Sequence, residues 1–214
     1  MKCMLKDDVT DILDEIEKIF PHASCELVYH NIYELIVAVS LSAQTTDKAV
    51  NVVTPRLFEA YPTVYDLAKA DPVEVKSYIQ TIGLSSNKSR NIVAMAKMVV
   101  EQYQGEIPHT QETLESLPGV GRKTANVVLT EGYHIPRIPV DTHVERVSKR
   151  LGIANEADSV IAVEEKLMRL IDQDRWHKAH HLLLFMGRYQ CLARNPKCEQ
   201  CFYQSKCLYL NHKK

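Results

Sequence analysis

Apolar residues recur three and four positions apart along most of this 214-residue chain, the spacing of one face of an α-helix. Thr10–Phe20 predicts an amphipathic helix that Pro21 ends, with an apolar face of Ile12, Leu13, Ile16, Ile19 and Phe20. Asn31–Ala43 is apolar almost throughout and predicts a buried helix. No segment carries convincing β-strand signals. The pattern therefore predicts an all-α fold with short connections.

Polar residues at capping positions predict three further helix starts, at Thr46, at Thr63-x-x-Asp66 and at Asp71-Pro72. The helix after Thr46 should extend to Tyr61, but Pro55 lies inside it and should kink or split it. Apolar periodicity predicts the remaining helices over Asn87–Tyr103, Thr110–Leu117, Thr142–Leu151, Ser159–Ile171 and Arg175–Tyr189. For the helix from Thr142, the pattern Thr142-x-x-Glu145 is a second capping box.

A glycine-rich turn joins two helical segments in the middle of the chain. Pro118 cannot continue the helix that ends at Leu117, and Gly119 can take a positive φ, so the chain turns before Arg122–Glu131. The glycines leave uncovered the N–H groups that open the second helix, which favours binding of a phosphate. Lys123 lies in its first turn, where the helix dipole favours a neutral, nucleophilic amine. An ordinary turn with a solvated lysine is the alternative.

Length and composition are those of a soluble protein with one large or two small domains, 45% hydrophobic and 25% charged. The start, Met1–Asp8, has no apolar core of a signal peptide, and the longest apolar stretch, near Leu35–Ala43, is too short to span a bilayer. We therefore expect a cytoplasmic protein, associated with the nucleoid if it is bacterial, and no membrane partner.

The net charge of −1 argues against a nucleic-acid partner, but the charge is unevenly distributed. Residues 1–136 carry 12 Lys and Arg against 18 Asp and Glu, whereas residues 137–214 carry 14 against 9. Because local charge governs binding to phosphates, the C-terminal part remains a candidate for contact with DNA. Chance sorting of solvated charges is the alternative explanation of this split.

Four cysteines cluster near the C-terminus as C-x6-C-x2-C-x5-C, namely Cys191, Cys198, Cys201 and Cys207. Disulfides explain such a cluster poorly in a cytosolic chain. Four thiolates in a short loop fit tetrahedral zinc or a cubane iron–sulfur cluster, and the spacing alone does not choose between them.

The hairpin with Lys123, the aspartate Asp141 after a proline-rich loop and the four-cysteine tail together resemble the endonuclease III family of helix–hairpin–helix DNA glycosylases. The resemblance covers nearly the whole chain and favours a [4Fe–4S] cluster over zinc. It implies two helical domains with a DNA cleft between them. One is a six-helix barrel over residues 25–135, and the other joins residues 1–24 to the cluster domain at 136–214.

Site residues follow from the same resemblance. Lys123 matches the lysine that forms a Schiff base with the sugar, and Asp141 matches the essential aspartate. Gln44 and Leu84 occupy the positions whose side chains fill the gap left by a flipped nucleotide. The phosphate-binding hairpin comprises Gly119, Val120, Gly121 and Arg122. His143, two residues after Asp141, is a further candidate for a phosphate contact.

The resemblance implies a monomeric repair enzyme that binds double-stranded DNA containing a damaged base or an abasic site. It would remove oxidised pyrimidines and then cut the strand by β-elimination. An adenine-mismatch glycosylase is disfavoured, since that relative has a further C-terminal domain and only seven residues follow Cys207. A metal-stabilised DNA-binding module without activity is the non-enzymatic alternative. It predicts salt-dependent duplex binding with no release of a base.

Overall fold

The computed structural model describes residues 4–211 of the chain. Residues 1–3 and 212–214 lie outside it, so the predicted absence of a signal peptide concerns residues that are only partly described. The described residues are helical and contain no β-strand, which confirms the predicted all-α class. They form two compact units: residues up to Cys25 pack with those from Pro136 onward, and Glu26–Ile135 form the other unit. None of the helices in this part is long and apolar enough to cross a membrane.

The α-helices of residues 4–211 are, in chain order, α1 (Lys6–Ile19), α2 (Ile32–Leu41), α3 (Asp47–Ala60), α4 (Val64–Lys69), α5 (Pro72–Ile79), α6 (Ser85–Tyr103), α7 (Gln111–Glu115), α8 (Arg122–Val127), α9 (Thr142–Leu151), α10 (Val160–Leu170), α11 (Trp176–Phe185) and α12 (Leu208–Asn211). Two π-helical turns extend helices, Val128–Gly132 after α8 and Met186–Gln190 after α11. Short 3₁₀ turns cover Gln173–Arg175, Cys198–Gln200 and Gln204–Lys206.

The three predicted N-caps are confirmed, since each one precedes a helix that begins at the predicted position. The side chain of Thr46 accepts a hydrogen bond from the N–H of Ala49, and that of Asp71 accepts one from Val73. Thr63 and Asp66 form the reciprocal capping box. These caps satisfy backbone N–H groups that the first helical turn leaves unpaired, so the polar residues fix the start of α3, α4 and α5.

The sequence predicts a kink or a split at Pro55, and the split does not occur, since α3 continues from Asp47 to Ala60. The buried residues Val50, Val53 and Leu57 lie on both sides of the proline. Burial of this continuous apolar face outweighs the one backbone hydrogen bond that proline removes. The helix that begins at Arg122 is predicted to extend to Glu131. Its α-helical part is shorter, because the geometry becomes π-helical at Val128.

In the unit that contains both chain ends, α1 packs against α11, and α9 packs against α10, α11 and α12. The first helix begins at Lys6 rather than Thr10, because the Asp8 carboxylate accepts a hydrogen bond from the N–H of Leu5 at 3.1 Å. Its buried face contains Val9, Ile12, Leu13 and Ile16, whereas Ile19, predicted on that face, is 43% exposed. The partner of this face therefore comes from a segment more than 150 residues away in the sequence.

In the other unit, α6 packs against α4 and α5, and α2 packs against α3, α6, α8 and the π-helical turn after α8. The helix α2 is buried on nearly all sides, as its continuous apolar sequence predicts. It forms a fixed support for the short α8, which would be marginal as an isolated helix.

Candidate functional site

The predicted hairpin forms between α7 and α8. Leu117 and Val120 are buried, and the Val120 N–H donates to the Leu117 carbonyl at 3.0 Å to close the turn. Gly119 has φ +78°, and a Cβ there would lie 2.8 Å from Cβ of Asn91. Gly119 is therefore required by both conformation and space. Gly121 is the N-cap of α8, with φ −101° and open space where a Cβ would be.

Lys123 occupies the second position of α8 and is exposed, as is Arg122 before it. The next turn of the helix is buried through Ala125, Asn126 and Val127. The helix thus has one face anchored in the unit and presents its basic first turn to solvent. The backbone N–H groups at its start lie beside Gly121, which carries no side chain to cover them.

Asp141 is the N-cap of α9. Its Oδ1 accepts hydrogen bonds from the N–H groups of His143 at 2.8 Å and Val144 at 2.9 Å. The predicted capping box from Thr142 is wrong, since Glu145 instead pairs with Lys149 at 2.7 Å. An aspartate one residue earlier reaches the same N–H groups and takes the capping position. The two bonds orient the half-buried carboxylate and use only one of its oxygens.

Arg146 connects α9 to the segment that leads into the cysteine loop. Its Nε donates to the Cys191 carbonyl at 3.1 Å, and its Nη2 donates to the Gly187 carbonyl at 2.8 Å. Burial lowers the pKa of this guanidinium, as does the nearby charge of Arg150. Nη2 also lies 3.2 Å from Nδ1 of His143. Because arginine only donates, Nδ1 accepts, and a neutral His143 ring carries its proton on Nε2.

Sequence reasoning missed Arg146 and Gly187. A Cβ on Gly187 would lie 2.7 Å from Cβ of His143, so this glycine lets the helical segment after α11 approach the start of α9. A glycine inside an otherwise apolar helical segment was the available signal. Both residues hold the segment that carries Asp141 and His143 against the chain leading to Cys191.

Gln44 and Leu84 share an unusual backbone conformation. Their φ angles are 54° and 60°, in the left-handed region that non-glycine residues rarely adopt. Both are exposed, and Leu84 has 56% of its surface accessible. Leu84 is therefore not a core residue. An exposed leucine held in a strained conformation directly before α6 is a marker of a functional position.

The four clustered cysteines line one cavity, together with Arg150, Leu151 and Met186. Cys207 is buried, and Cys191, Cys198 and Cys201 are half-buried. Burial raises the pKa of the Cys201 thiol, and the charges of the other three cysteines raise it further. Four thiolates at such close range repel one another unless a cation neutralises them. The donor set and its partly apolar surroundings fit an iron–sulfur cluster.

Sequence reasoning also missed Arg150, which lines this cavity. Its Nη1 donates to the Leu192 carbonyl at 2.7 Å and to Sγ of Cys191 at 3.4 Å, and its Nη2 donates to the Ala193 carbonyl at 3.3 Å. Its guanidinium carbon lies 4.0 Å from the ring centroid of Tyr209. The side chain therefore holds the beginning of the cysteine loop to the helix α12.

Comparison with known families identifies two segments. Residues 37–173 match the model of the HhH-GPD superfamily of base excision DNA repair proteins. Residues 191–202 match the iron–sulfur binding domain of endonuclease III. The first match includes the hairpin and Asp141, and the second includes Cys191, Cys198 and Cys201.

Relatives that match nearly the whole chain are also endonucleases III. Endonuclease III of Bacillus subtilis strain 168 is 51% identical over 195 residues, which cover 91% of this chain and 89% of the relative. Endonuclease III of Haemophilus influenzae is 42% identical over 206 residues, covering 96% and 97%. A structure of a trapped endonuclease III–DNA covalent intermediate, an estranged-adenine complex, matches with a TM-score of 0.94 and 47% identity, covering 98% of this chain and 99% of that chain.

Proposed function

The chain belongs to the endonuclease III family, and we propose that Lys123 and Asp141 carry the DNA glycosylase and abasic-site lyase activity that defines this family. The substrate is double-stranded DNA with an oxidised pyrimidine or an abasic site. The observation that carries the proposal is the exposed first turn of α8, which presents Lys123 beside an uncovered glycine cap.

Base removal begins with a flipped nucleotide, because C1′ of a stacked nucleotide cannot be reached. The neutral amine of Lys123 attacks C1′, the glycosidic bond breaks, and its electron pair and a proton leave with the base. The sugar ring then opens to give a Lys123–C1′ imine. The carboxylate of Asp141 accepts the proton from the attacking amine or stabilises the positive charge that develops on the sugar.

Strand cleavage follows from the same imine. The protonated imine withdraws electrons and makes the C2′ proton acidic. Loss of this proton forms a double bond toward C3′, and the C3′–oxygen bond breaks, with the phosphate on the 3′ side as leaving group. An enzyme whose nucleophile cannot form an imine would stop after base removal, so the presence of lysine supports lyase activity as well.

Binding to the distorted duplex requires phosphate contacts and a filled gap. The N–H groups at the start of α8, within Gly119–Arg122, bind a backbone phosphate, and His143 binds another. Gln44 and Leu84 insert into the space that the flipped nucleotide leaves. Gln44 forms hydrogen bonds with the base that has lost its pairing partner, and Leu84 separates neighbouring stacked bases. Because DNA is the substrate, we also expect the protein to associate with the nucleoid if its cell is bacterial.

The protein carries a [4Fe–4S] cluster, and we propose Cys191, Cys198, Cys201 and Cys207 as its ligands. The cluster cross-links a segment with little regular structure and thereby holds the basic C-terminal loop in a fixed shape. Iron and sulfide analysis of the purified protein tests this assignment. A colourless protein with stoichiometric zinc would contradict it.

Borohydride trapping tests the central proposal. Incubation with abasic-site DNA and borohydride should link the wild-type protein to DNA covalently, because reduction converts the imine to a stable amine. The variant Lys123→Ala should bind duplex DNA but give no linked product. Equal trapping of this variant would overturn the assignment of Lys123. Release of oxidised thymine from duplex DNA separates the enzyme from a DNA-binding module without activity.

A further inference from the structure

The buried ammonium group of Lys88 is not explained by the chemistry above. Lys88 has only 6% of its surface exposed, and its Nζ donates a hydrogen bond to Oγ1 of Thr45 at 2.6 Å. Burial lowers the pKa of this lysine, and no charged group contributes to the shift. Lysine is rarely buried in this way unless a carboxylate compensates it.

The position of Lys88 in the fold adds to the energetic penalty. It lies in the first turn of α6, at the positive end of the helix dipole. A methionine or leucine would fill the same space without this penalty. A charged group retained where an apolar one is more stable points to a role other than stability.

Lys88 contacts the two segments that carry Gln44 and Leu84, which are two of the exposed non-glycine residues with a positive φ. Its backbone N–H donates to the carbonyl of Leu84 at 3.0 Å, and its side chain reaches Thr45, the residue after Gln44. The Thr45 N–H in turn donates to the Ser42 carbonyl at 3.0 Å, closing the loop that contains Gln44. One residue thus links the left-handed turn at Gln44 to the left-handed turn at Leu84.

We propose that Lys88 is a positioning residue that couples Gln44 and Leu84, so that both side chains enter the duplex together during base flipping. The inference rests on the proposed insertion of Gln44 and Leu84 into the gap. The ammonium group does not touch the sugar or the base. It fixes the spacing between the two inserted residues, which is set before DNA binds and needs no reorganisation at that step.

The variant Lys88→Met tests this role, because methionine fills the space without donating a hydrogen bond. Lys97→Met is the matched control, since Lys97 is an exposed lysine on the same helix. Excision of oxidised thymine is measured in single turnovers on two duplexes, one with adenine opposite the lesion and one with an abasic site there. Thermal unfolding of each free protein is measured in parallel.

Lys88→Met should excise the lesion opposite adenine roughly tenfold more slowly, the effect of losing one charge-assisted hydrogen bond. The loss should be less than about threefold opposite the abasic site, because an unpaired nucleotide is flipped more easily. The melting temperature should stay at or above that of wild type. Lys97→Met should match wild type in every measurement, and Thr45→Ser, which keeps the hydroxyl, should excise faster than Thr45→Val.

A loss of equal size on both duplexes, or a loss that parallels a lower melting temperature, would overturn the proposal in favour of a purely structural role. Wild-type rates for Lys88→Met would overturn it as well. The variants Gln44→Ala and Leu84→Ala distinguish this failure from a failure of the proposed function. If they are slow while Lys88→Met is not, only the coupling is wrong. If they excise normally, the gap-filling assignment itself fails.

Discussion

Arg150 and Cys191 are joined by a hydrogen bond of 3.4 Å from Nη1 to Sγ, across 41 residues of sequence. The same guanidinium holds the carbonyl of Leu192 and lies over the ring of Tyr209. In the proposed cluster site this sulfur is a thiolate ligand, and a thiolate accepts a hydrogen bond from a cation more strongly than a thiol does. Hydrogen bonds to ligand sulfurs are among the determinants of the reduction potential of an iron–sulfur cluster.

Arg150→Met should therefore shift the potential of the cluster to more negative values. The reduced cluster carries the additional negative charge and loses more when the donor is removed. A hydrogen bond of about 1 kcal/mol corresponds to roughly 40 mV for one electron. Voltammetry of the DNA-free protein measures the shift, and Arg169→Met, at an exposed arginine on α10, is the control. An unchanged potential with full cluster absorbance would contradict the role of this bond.

The contrast between Arg150 and Thr63 shows which features the sequence predicts. Caps such as Thr63–Asp66 involve residues three positions apart, so a local pattern contains the whole interaction. The bond from Arg150 to Cys191 and the bond from Lys88 to Thr45 join segments more than 40 residues apart. The residue type of an arginine or a lysine does not indicate which distant residue it will contact. Such contacts depend on how the helices pack, which periodicity does not specify.

The strained turn at Leu84 illustrates a second limit. Leucine has a high helical propensity and normally occupies the core, so its left-handed φ and exposure contradict its ordinary preferences. The resemblance to a family predicts a functional role for Leu84, whereas residue chemistry alone does not. The same holds for Asp141, which a residue-level argument describes only as a helix cap.

Gly119 and Gly121 should respond differently to alanine. Gly119→Ala places a side chain in the left-handed region and against Asn91, so it should destabilise the protein by about 2 kcal/mol. For a chain of this length, that free energy lowers the melting temperature by roughly 4–8 °C. Gly121→Ala has an allowed φ and open space and should cost less than about 1 kcal/mol. Calorimetry of the two variants tests the difference, and equal losses would refute this account of the hairpin.

Alkaline pH should reduce the stability difference between Lys88→Met and wild type. The lowered pKa means that folded Lys88 loses its proton before the unfolded chain does, below the ordinary lysine value of 10.5. The penalty of burying the ammonium is thus complete at neutral pH and is relieved as pH rises toward 10.5. The melting temperature of Lys88→Met should exceed that of wild type most at neutral pH. Lys97→Met, at an exposed lysine on the same helix, is the control for the loss of one surface charge.

Substitutions at Asp141 should separate its capping role from its proposed catalytic role. Asparagine keeps a side-chain oxygen that can accept from the N–H groups of His143 and Val144, so Asp141→Asn should unfold at nearly the wild-type temperature. It has no negative charge, and base release should fall by about 100-fold or more. Asp141→Ala should lose the same activity and, in addition, about 1 kcal/mol of stability from the missing cap. Single-turnover base release and thermal unfolding, measured on the same preparations, resolve the two effects. Retained activity in a stable Asp141→Asn protein would leave Asp141 as a helix cap only.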